Sequence, residues 1–334
     1  MNSHKFKLYP QPSIVPGKQI RIPLQDITNA VPKNAPQKIS LADENTPTII
    51  DERPKFVPFY HVEYPIGYDE EPSDVTEYEH IIYRSMRQKE LEVQQDCVTQ
   101  AEITPEDRCT LIDMLCRLHY KAQLTTITFY RCIGILDRIT SRIEISPDNY
   151  LLIGYTSMFI ASKYEDVLPL TIKDAIKISG NQFTADDMKD AEIKLCSVID
   201  FDLSFPTPIF FETIFLRLHN SQLTSEFSLL TRYIMELCMI TVDFIGVEDS
   251  IIAAAAVMAA RTIFGFEPWT EKLAGYSQYS FEELCPYVKT IHQMLLHREF
   301  FEDSFVKKKY SSSLFKSVAN VEVPETLPFP FQYF

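Results

Sequence analysis

The sequence predicts an all-α protein in which two five-helix bundles follow one another along the chain. Two stretches carry most of this prediction, because each is apolar on all sides over several helical turns. They are YLLIGYTSMFIASKYED at 150–166 and SIIAAAAVMAARTIF at 250–264. A helix without a polar stripe belongs inside a bundle, so each stretch predicts one central helix. The 334 residues include only 8 glycines, which argues against turn-rich β architectures.

The helices of the first bundle are predicted from capping residues and from apolar residues at helical spacing. Its central helix begins near Pro147, where Ser146 supplies an N-cap, and it ends near Tyr164. The other predicted helices of this bundle are 104–120, 126–140, 172–178 and 184–199. We place the bundle at residues 104–205, and an amphipathic helix at 75–95 precedes it.

The second bundle repeats the first in outline and is placed at residues 206–298. Its predicted helices are 208–219, 225–241, 249–264, 269–275 and 281–296. Ser280 and Glu283 form a capping-box pattern at the start of the last of these helices. A mixed tail follows at 299–334, and its three lysines at 307–309 are interpreted as solvated, with a weak nuclear signal as the alternative.

Residues 1–74 are predicted to form a disordered regulatory arm. Eleven of the 21 prolines lie in the first 76 residues, spaced too closely for a helix or an inner strand to persist. Up to Ser40 the arm is basic, with six lysines and arginines against the single acid Asp26, and the remainder is acidic. Such a change of charge suggests a segment that is used for recognition.

Composition limits the possible classes of function. The formal charge of −14 disfavours nucleic acid as a direct partner, since phosphate binding needs a basic surface, and it favours a protein partner. No apolar run has membrane-spanning length, so no membrane partner is expected. The seven cysteines form no CxxC pair, and HExxH, GxSxG and phosphate-loop patterns are absent. We therefore expect a reduced protein of the nucleus and cytoplasm without catalytic residues, metal or cofactor.

Lys163 is the first candidate functional residue, because a buried helix delivers this cation to its own C-terminal rim. On helix grounds alone, its side chain extends along apolar surface and complements the helix dipole. Glu192 is the second candidate, since it lies at the edge of the apolar stripe of helix 184–199, one turn before Cys196. An ordinary rim carboxylate is the alternative interpretation of Glu192.

Seven ordered motifs together resemble a B-type mitotic cyclin, from about residue 78 to about residue 327. They are IIYRSMRQKE, TLIDML, ILDR, SMFIASKYED, TRYIMELCMI, PWTEKLAGYSQYSFEEL and VKKKYSSSLF. The resemblance implies cyclin boxes at 104–205 and 206–298. It also implies a non-catalytic regulatory subunit, which binds and activates a cyclin-dependent Ser/Thr kinase as a heterodimer and drives mitotic cell-cycle progression.

The same resemblance implies which residues contact the kinase. In the family, the lysine of the ASK motif and a glutamate on the fifth helix of the first box contact the kinase, and here they are Lys163 and Glu192. The neighbouring apolar contacts carry over to Tyr164, Cys196, Leu203, Tyr78 and Ile82. Cys196 departs from the family pattern, because it replaces a larger aliphatic residue.

The basic part of the arm contains a pattern that resembles the destruction box of mitotic cyclins. The segment RIPLQDITN places Arg21, Leu24, Ile27 and Asn29 in the order RxxLxxIxN. The resemblance implies recognition by the anaphase-promoting ubiquitin ligase and removal by ubiquitin-mediated proteolysis. Chance occurrence in an arm of low complexity is the alternative interpretation.

The substrate-docking patch of the family is degenerate in this chain. By position the patch consists of Asp107, Thr110, Leu111, Met114, Arg117 and Leu151. Met114 replaces a tryptophan and Arg117 an acidic or polar residue, so we expect weak binding of arginine-x-leucine peptides. Asp107 is either a partner for the cation of such a peptide or, more simply, a capping acid.

A rival interpretation keeps the two bundles and removes the kinase. The chain would then be a cyclin-like adaptor of the transcription-factor or pocket-protein kind. The acidic composition disfavours a promoter-binding version of this adaptor. Co-elution with a cyclin-dependent kinase, and activation of that kinase, distinguish the two interpretations.

Overall fold

The computed structural model describes residues 22–23, 79–92, 100–218, 224–327 and 329. Most of the predicted arm lies outside these residues, as do Tyr78 and the four destruction-box-like positions Arg21, Leu24, Ile27 and Asn29. Within the described ranges the chain is helical, apart from loops and one pair of two-residue strands. The predicted all-α fold is confirmed.

One helix precedes the first bundle, and five helices form the described part of that bundle. Their bounds are α1 Glu79–Glu92, α2 Pro105–Ala122, α3 Thr126–Arg142, α4 Pro147–Glu165, α5 Ile172–Ile178 and α6 Ala185–Val198. The second bundle continues as α7 Pro208–Leu218, α8 Ser225–Met239, α9 Asp249–Ile263, α10 Glu271–Ser277 and α11 Phe281–Leu296. The tail contributes α12, Phe305–Tyr310, and short 3-10 turns.

The two strands are short and parallel. They are β1, Ile22–Pro23, and β2, Ile143–Glu144, and Ile22 lies opposite Ile143 in their register. They bring two residues of the predicted arm against the loop between α3 and α4.

The central helices α4 and α9 lie where the all-apolar stretches predict them. In the first bundle α4 packs against α2, α3 and α6, and in the second α9 packs against α7, α8 and α11. Gly154 allows a close approach of α4 to α2, because an added Cβ would lie 2.9 Å from a methyl carbon of Leu111. Small residues do the same for α9, where Ala253, Ala254, Ala255 and Ala256 are fully buried.

Reciprocal capping boxes begin three of the helices, as their sequence patterns indicate. Thr104 and Asp107 exchange hydrogen bonds at the start of α2, and Ser280 and Glu283 do so at the start of α11. Thr184 with Asp187 caps α6 in the same way. Each reciprocal pair satisfies two backbone or side-chain donors that the helix start would otherwise leave unpaired.

Arg131 and Gly134 of α3 hold the linker between the bundles. The guanidinium of Arg131 donates to the carbonyl oxygen of Phe205, and the ring of Phe205 lies where a side chain of Gly134 would be. Arg108 and Asp137 form a buried ion pair between α2 and α3, with a separation of 2.6 Å between Nη2 and Oδ2. Arg108 also donates to the carbonyl oxygen of Met239 in α8 at 3.3 Å, so this pair contacts the second bundle as well.

The helix α1 is fastened to the second bundle rather than to the first. The hydroxyl of Tyr83 donates to the carbonyl oxygen of Ser277 at 3.0 Å, and its ring packs on Phe211. The carboxylate of Glu90 accepts the backbone N–H of Ser250 at 2.7 Å. The buried side of α1 therefore carries Tyr83 and Glu90.

The tail joins α2 of the first bundle to α8 of the second. The carboxylate of Asp113 accepts the backbone N–H groups of Phe305 and Val306, so it caps α12. Lys309 is fully buried and its Nζ lies 2.7 Å from Glu236 of α8. The interpretation of all three lysines at 307–309 as solvated is wrong for Lys309, where a partner carboxylate compensates for the burial of the charge. It is also wrong for Lys307, whose side chain is only 12% exposed and pairs with Glu302, and it holds for Lys308.

Candidate functional site

Lys163 and Glu192 meet at the open end of the first bundle. Lys163 lies in the last turn of α4 and forms an ion pair with Glu192 of α6. Their side chains are 41% and 22% exposed, so solvent still reaches both charges. The ammonium also lies 4.4 Å from the centroid of the Phe159 ring, and partial burial lowers the pKa of Lys163. Lys163 is thus held on an apolar rim rather than extended into solvent.

Large apolar side chains surround this pair and are exposed. Tyr164 is 49% exposed, Ile193 58% and Phe201 69%. Cys196, one turn after Glu192 on α6, is buried, and burial raises the pKa of its thiol. Leu203 follows as a half-buried residue. An exposed apolar cluster around one ion pair is typical of a surface that binds another protein.

The corner after α6 projects Phe201 outward. Asp200 and Phe201 have φ angles of +54° and +57°, which non-glycine residues rarely adopt. The backbone N–H of Phe201 donates to the carbonyl oxygen of Cys196 at 2.9 Å and holds this conformation. Left-handed backbone costs about 1–2 kcal/mol per residue, so the fold sustains strain at the point where it exposes an aromatic ring.

Contacts behind the pair keep the end of α4 rigid. Arg131 donates to the carboxylate of Glu165 at 2.7 Å, and its guanidinium lies 5.4 Å from the centroid of the Tyr164 ring. Asp166 accepts the backbone N–H of Thr125 at 2.7 Å, and burial raises the pKa of this carboxyl. Lys163 therefore projects from a helix end at which Tyr164, Glu165 and Asp166 are each held by contacts with other parts of the bundle.

The helix α1 reaches the same corner. Lys89 donates to the hydroxyl oxygen of Ser204 at 3.0 Å, beside Leu203. Tyr83 is turned into the second bundle. Of the two residues before it, Ile81 is exposed and Ile82 is half-buried. Ile82 and Leu203 are thus both half-buried, and Tyr78 lies outside the described residues.

The degenerate docking patch contains no exposed aromatic side chain among its six positions. Asp107 is exposed and caps α2, and the N–H of Thr104 lowers the pKa of its carboxyl. Leu111 is buried against Gly154, while Met114 is 38% exposed. Thr110 is exposed, and Leu151 is half-buried.

Arg117 of this patch is engaged by the tail. Its guanidinium lies 5.5 Å from the centroid of the Phe305 ring, and that ring also packs on Tyr120. The cation at the rim of the patch is therefore partly covered by the chain's own α12.

Sequence reasoning missed Ile193 and Phe201 as parts of the exposed cluster. A signal exists for Ile193, which is a large aliphatic residue on the polar side of an amphipathic helix. For Phe201 the local sequence DFDLSF gives no such signal, because the exposure follows from the backbone conformation.

Two other kinds of feature are absent from the described ranges. Across the described ranges, no group of three or more His, Cys, Asp or Glu side chains could hold a metal ion. In the same part of the chain, no helix is both long enough and apolar enough to cross a membrane.

Two tandem helical bundles, with an exposed lysine–glutamate pair on the first, are the architecture of a cyclin-type protein. The model of the cyclin N-terminal domain matches residues 81–204, and the model of the cyclin C-terminal domain matches residues 206–324. The chain therefore belongs to the cyclin family. The predicted recognition of an A/B-like mitotic cyclin is confirmed by its curated relatives, which include both types.

Three of these relatives show the extent of the similarity. The G2/mitotic-specific cyclin-B of Patella vulgata is 32% identical over 75% of this chain and 61% of its own length. The cyclin-B of Marthasterias glacialis is 33% identical, over 75% and 65%. The G2/mitotic-specific cyclin-A of Spisula solidissima is 28% identical, over 90% and 69%. The chain thus spans about three fifths to two thirds of the length of these relatives.

A solved structure agrees with the fold. The crystal structure of a viral cyclin from herpesvirus saimiri superimposes with a TM-score of 0.59 at 17% identity. The superposition covers 65% of this chain and 97% of the viral cyclin.

Proposed function

We propose that this protein is the regulatory subunit of a cyclin-dependent Ser/Thr protein kinase, and that it activates the kinase to drive mitotic cell-cycle progression. The carrying observation is the Lys163–Glu192 pair, which lies on a rigid rim within an exposed apolar cluster. Membership of the cyclin family and the G2/mitotic-specific relatives support the proposal. The protein supplies no catalytic group to the reaction.

The proposed mechanism is a shift of the kinase toward its active arrangement. A kinase is competent when the glutamate of its αC helix reaches the lysine of strand β3 and its activation loop is in place. A partner that binds this arrangement more tightly than the inactive one raises its population by the ratio of the two affinities. A rigid rim suits this role, because a surface that adapted to both arrangements would not discriminate between them.

The ion pair and the apolar cluster contribute differently to binding. In the free protein, an exposed pair such as Lys163–Glu192 stabilises the fold by about 0–1 kcal/mol, so exchanging it for kinase groups costs little. Tyr164, Ile193 and Phe201 supply affinity by area. A fully exposed side chain gains about 1.5–3 kcal/mol when it is buried, and these three, which are 49–69% exposed, gain correspondingly less. Buried charge pairs then supply specificity, since leaving one charge without its partner is costly.

The test compares two exposed ion pairs, Lys163–Glu192 and a pair in the tail. Lys163→Ala and Glu192→Ala are expected to weaken kinase binding by about 2–5 kcal/mol each, which is roughly 30-fold to several thousand-fold. Lys308 pairs with Asp303 in the tail, which carries none of the proposed kinase contacts, so Lys308→Ala is the control. Co-elution with the kinase, titrated affinity and phosphorylation of a substrate peptide are measured for each variant.

The outcomes separate this function from the adaptor alternative. Unchanged binding in a folded Lys163→Ala/Glu192→Ala double variant would contradict the assignment of these two residues. If the native protein itself neither binds nor activates any cyclin-dependent kinase, the kinase-independent adaptor is the better account.

We propose further that the arm is read by the anaphase-promoting ubiquitin ligase through Arg21, Leu24, Ile27 and Asn29. The support is the nine-residue pattern and its place in a basic, proline-rich segment. Arg21→Ala/Leu24→Ala should then stabilise the protein through mitotic exit, with kinase activation unchanged. Disappearance on the normal schedule would contradict this proposal. A protein that acts on mitotic substrates is proposed to occur in both nucleus and cytoplasm.

We also propose that the degenerate patch binds arginine-x-leucine peptides poorly. Met114 lacks the rigid contact area of an aromatic floor, and Arg117 would repel the cation of the peptide while it contacts Phe305. Asp107 is committed to the cap of α2 and contributes little to compensate. A labelled peptide titrated by fluorescence anisotropy should show no micromolar binding, and micromolar binding that Thr110→Ala or Met114→Ala weakens would refute the proposal.

A further inference from the structure

A groove lies on the first bundle, and none of the residues that line it belongs to the proposed kinase-binding face. This groove has a volume of about 570 Å³ and runs between β2, the start of α4 and the first half of α6. Its rim carries four acids and one lysine, so its formal charge is −3. They are Glu102, Glu144, Asp187, Asp190 and Lys194.

The floor of the groove is apolar. Ile145 is 1% exposed and Leu195 is fully buried, while Leu152 beside them is half-buried. An acidic rim around an apolar floor fits an extended segment that combines aliphatic side chains with basic flanks.

The strand β1 leads directly into this groove. Because β1 and β2 are parallel, and Pro23 lies opposite Glu144, the chain leaves Pro23 in the direction in which β2 enters the groove. Ile145 and Ser146, the two residues that directly follow β2, line the groove. Continued register would therefore carry Leu24 along the wall of the groove.

The backbone of β2 is prepared for pairing by Gln100. The side-chain amide of Gln100 donates to the carbonyl oxygen of Ile143 and accepts the N–H of Ile145, both at 2.8 Å. Glu144 is fixed as well, since its carboxylate accepts the N–H of Ala101 at 2.8 Å. A rigid, extended template lowers the cost of adding a strand, because the added segment alone must be ordered.

We propose that this groove is the docking site of the protein's own arm, and that residues 24–29, which carry most of the destruction-box-like pattern, are its occupant. Strand pairing at Ile22–Pro23 supplies the entry, and the charges agree with it. Residues 24–29 themselves carry only the acid Asp26, and the complementary charges are in the flanks, where Lys18 and Arg21 precede the segment and Lys33 and Lys38 follow it, against the acidic rim.

Docking within one chain needs only a weak intrinsic affinity. A tethered segment has an effective concentration of millimolar order, so an intrinsic Kd of about 0.1 mM keeps it docked for about nine tenths of the time. While residues 24–29 are docked, a ubiquitin ligase cannot reach the destruction-box-like pattern. The docking itself requires neither kinase nor ligase, and its test therefore stands apart from that of the proposed function.

Limited digestion of the full chain by trypsin tests the docking. The bond Arg21–Ile22 lies at β1, and the bond Lys38–Ile39 joins a basic residue to isoleucine elsewhere in the arm. Cleavage tracks the undocked population, so Arg21–Ile22 should be cut about ten times more slowly than Lys38–Ile39. Equal rates in the native protein would overturn the proposal.

Two double variants show whether the groove causes the protection. Glu102→Gln/Asp190→Asn neutralises two exposed rim acids without adding cleavage sites and should raise the rate at Arg21–Ile22 by about threefold. Glu322→Gln/Glu325→Gln makes the same charge change on the exposed tail and should leave that rate unchanged. Equal effects of the two variants would overturn the groove as the docking site, and protection that disappears on dilution would assign it to a second copy of the chain.

Discussion

The two central helices, α4 and α9, occupy equivalent places but use their terminal cations differently. Lys163, in the last turn of α4, is 41% exposed and pairs with Glu192 at the rim. Arg261, in the last turn of α9, is 4% exposed and donates to the carbonyl oxygen of Glu267 at 2.7 Å. The same position is therefore a surface group in one bundle and a structural group in the other.

The two bundles also differ in how far other parts of the chain cover them. The second bundle is covered by α1 through Tyr83 and by the tail through Lys309 and Tyr310. On the first bundle, within the described residues, Ile193 and Phe201 stay exposed. The N-terminal helix therefore packs on the second bundle and the tail bridges α2 and α8, while Ile193 and Phe201 of the first bundle stay exposed.

The largest expected effect is a loss of stability when the tail's buried ion pair with the second bundle is removed. Lys309→Ala leaves the buried carboxylate of Glu236 without its cation, and the free energy of unfolding should fall by about 3–5 kcal/mol. Lys308 is the next residue and its side chain is 56% exposed, so Lys308→Ala should change stability by no more than about 0.5 kcal/mol. Urea unfolding of both variants measures the difference, and equal midpoints would contradict the structural role of Lys309.

Much of the fold could be predicted from local sequence, because its causes are local. The capping pair Thr104–Asp107 spans three residues, and the all-apolar stretches of α4 and α9 are visible in a single window. The covering of the second bundle could not be predicted in this way. Tyr83 and Ser277 are 194 residues apart, so nothing near Tyr83 indicates its partner.

The candidate site shows the same division. Family resemblance indicated Lys163 and Glu192, and the structure brings them together. The identity of Lys309 as a buried residue was hidden, because three consecutive lysines are the typical pattern of a solvated surface. The tertiary contact with Glu236 distinguishes Lys309 from Lys308, whose side chain is 56% exposed.

A smaller effect tests how closely the first bundle is packed at its junction with the second. Gly134 lies on α3 directly against the ring of Phe205, which is itself stacked with Arg131 and Arg138. Gly134→Ala places a methyl group where the ring lies, and overpacking of this kind costs about 1–3 kcal/mol. Thermal unfolding should show the loss, and a variant as stable as the native protein would mean that the Phe205 ring moves freely.

The smallest effect is the same substitution in the second bundle, where the opposite sign is expected. Gly275 is exposed within α10, and a Cβ built there meets no atom within 4 Å. Gly275→Ala therefore adds no clash, while alanine loses less backbone entropy than glycine in a helix, which stabilises by about 0.5–1 kcal/mol. Thermal unfolding should show a rise of roughly 1–4 °C for a folded region of this size. Since both variants exchange glycine for alanine inside a helix, their helix-propensity gain is the same, and the difference between their stabilities measures the packing around Phe205 alone.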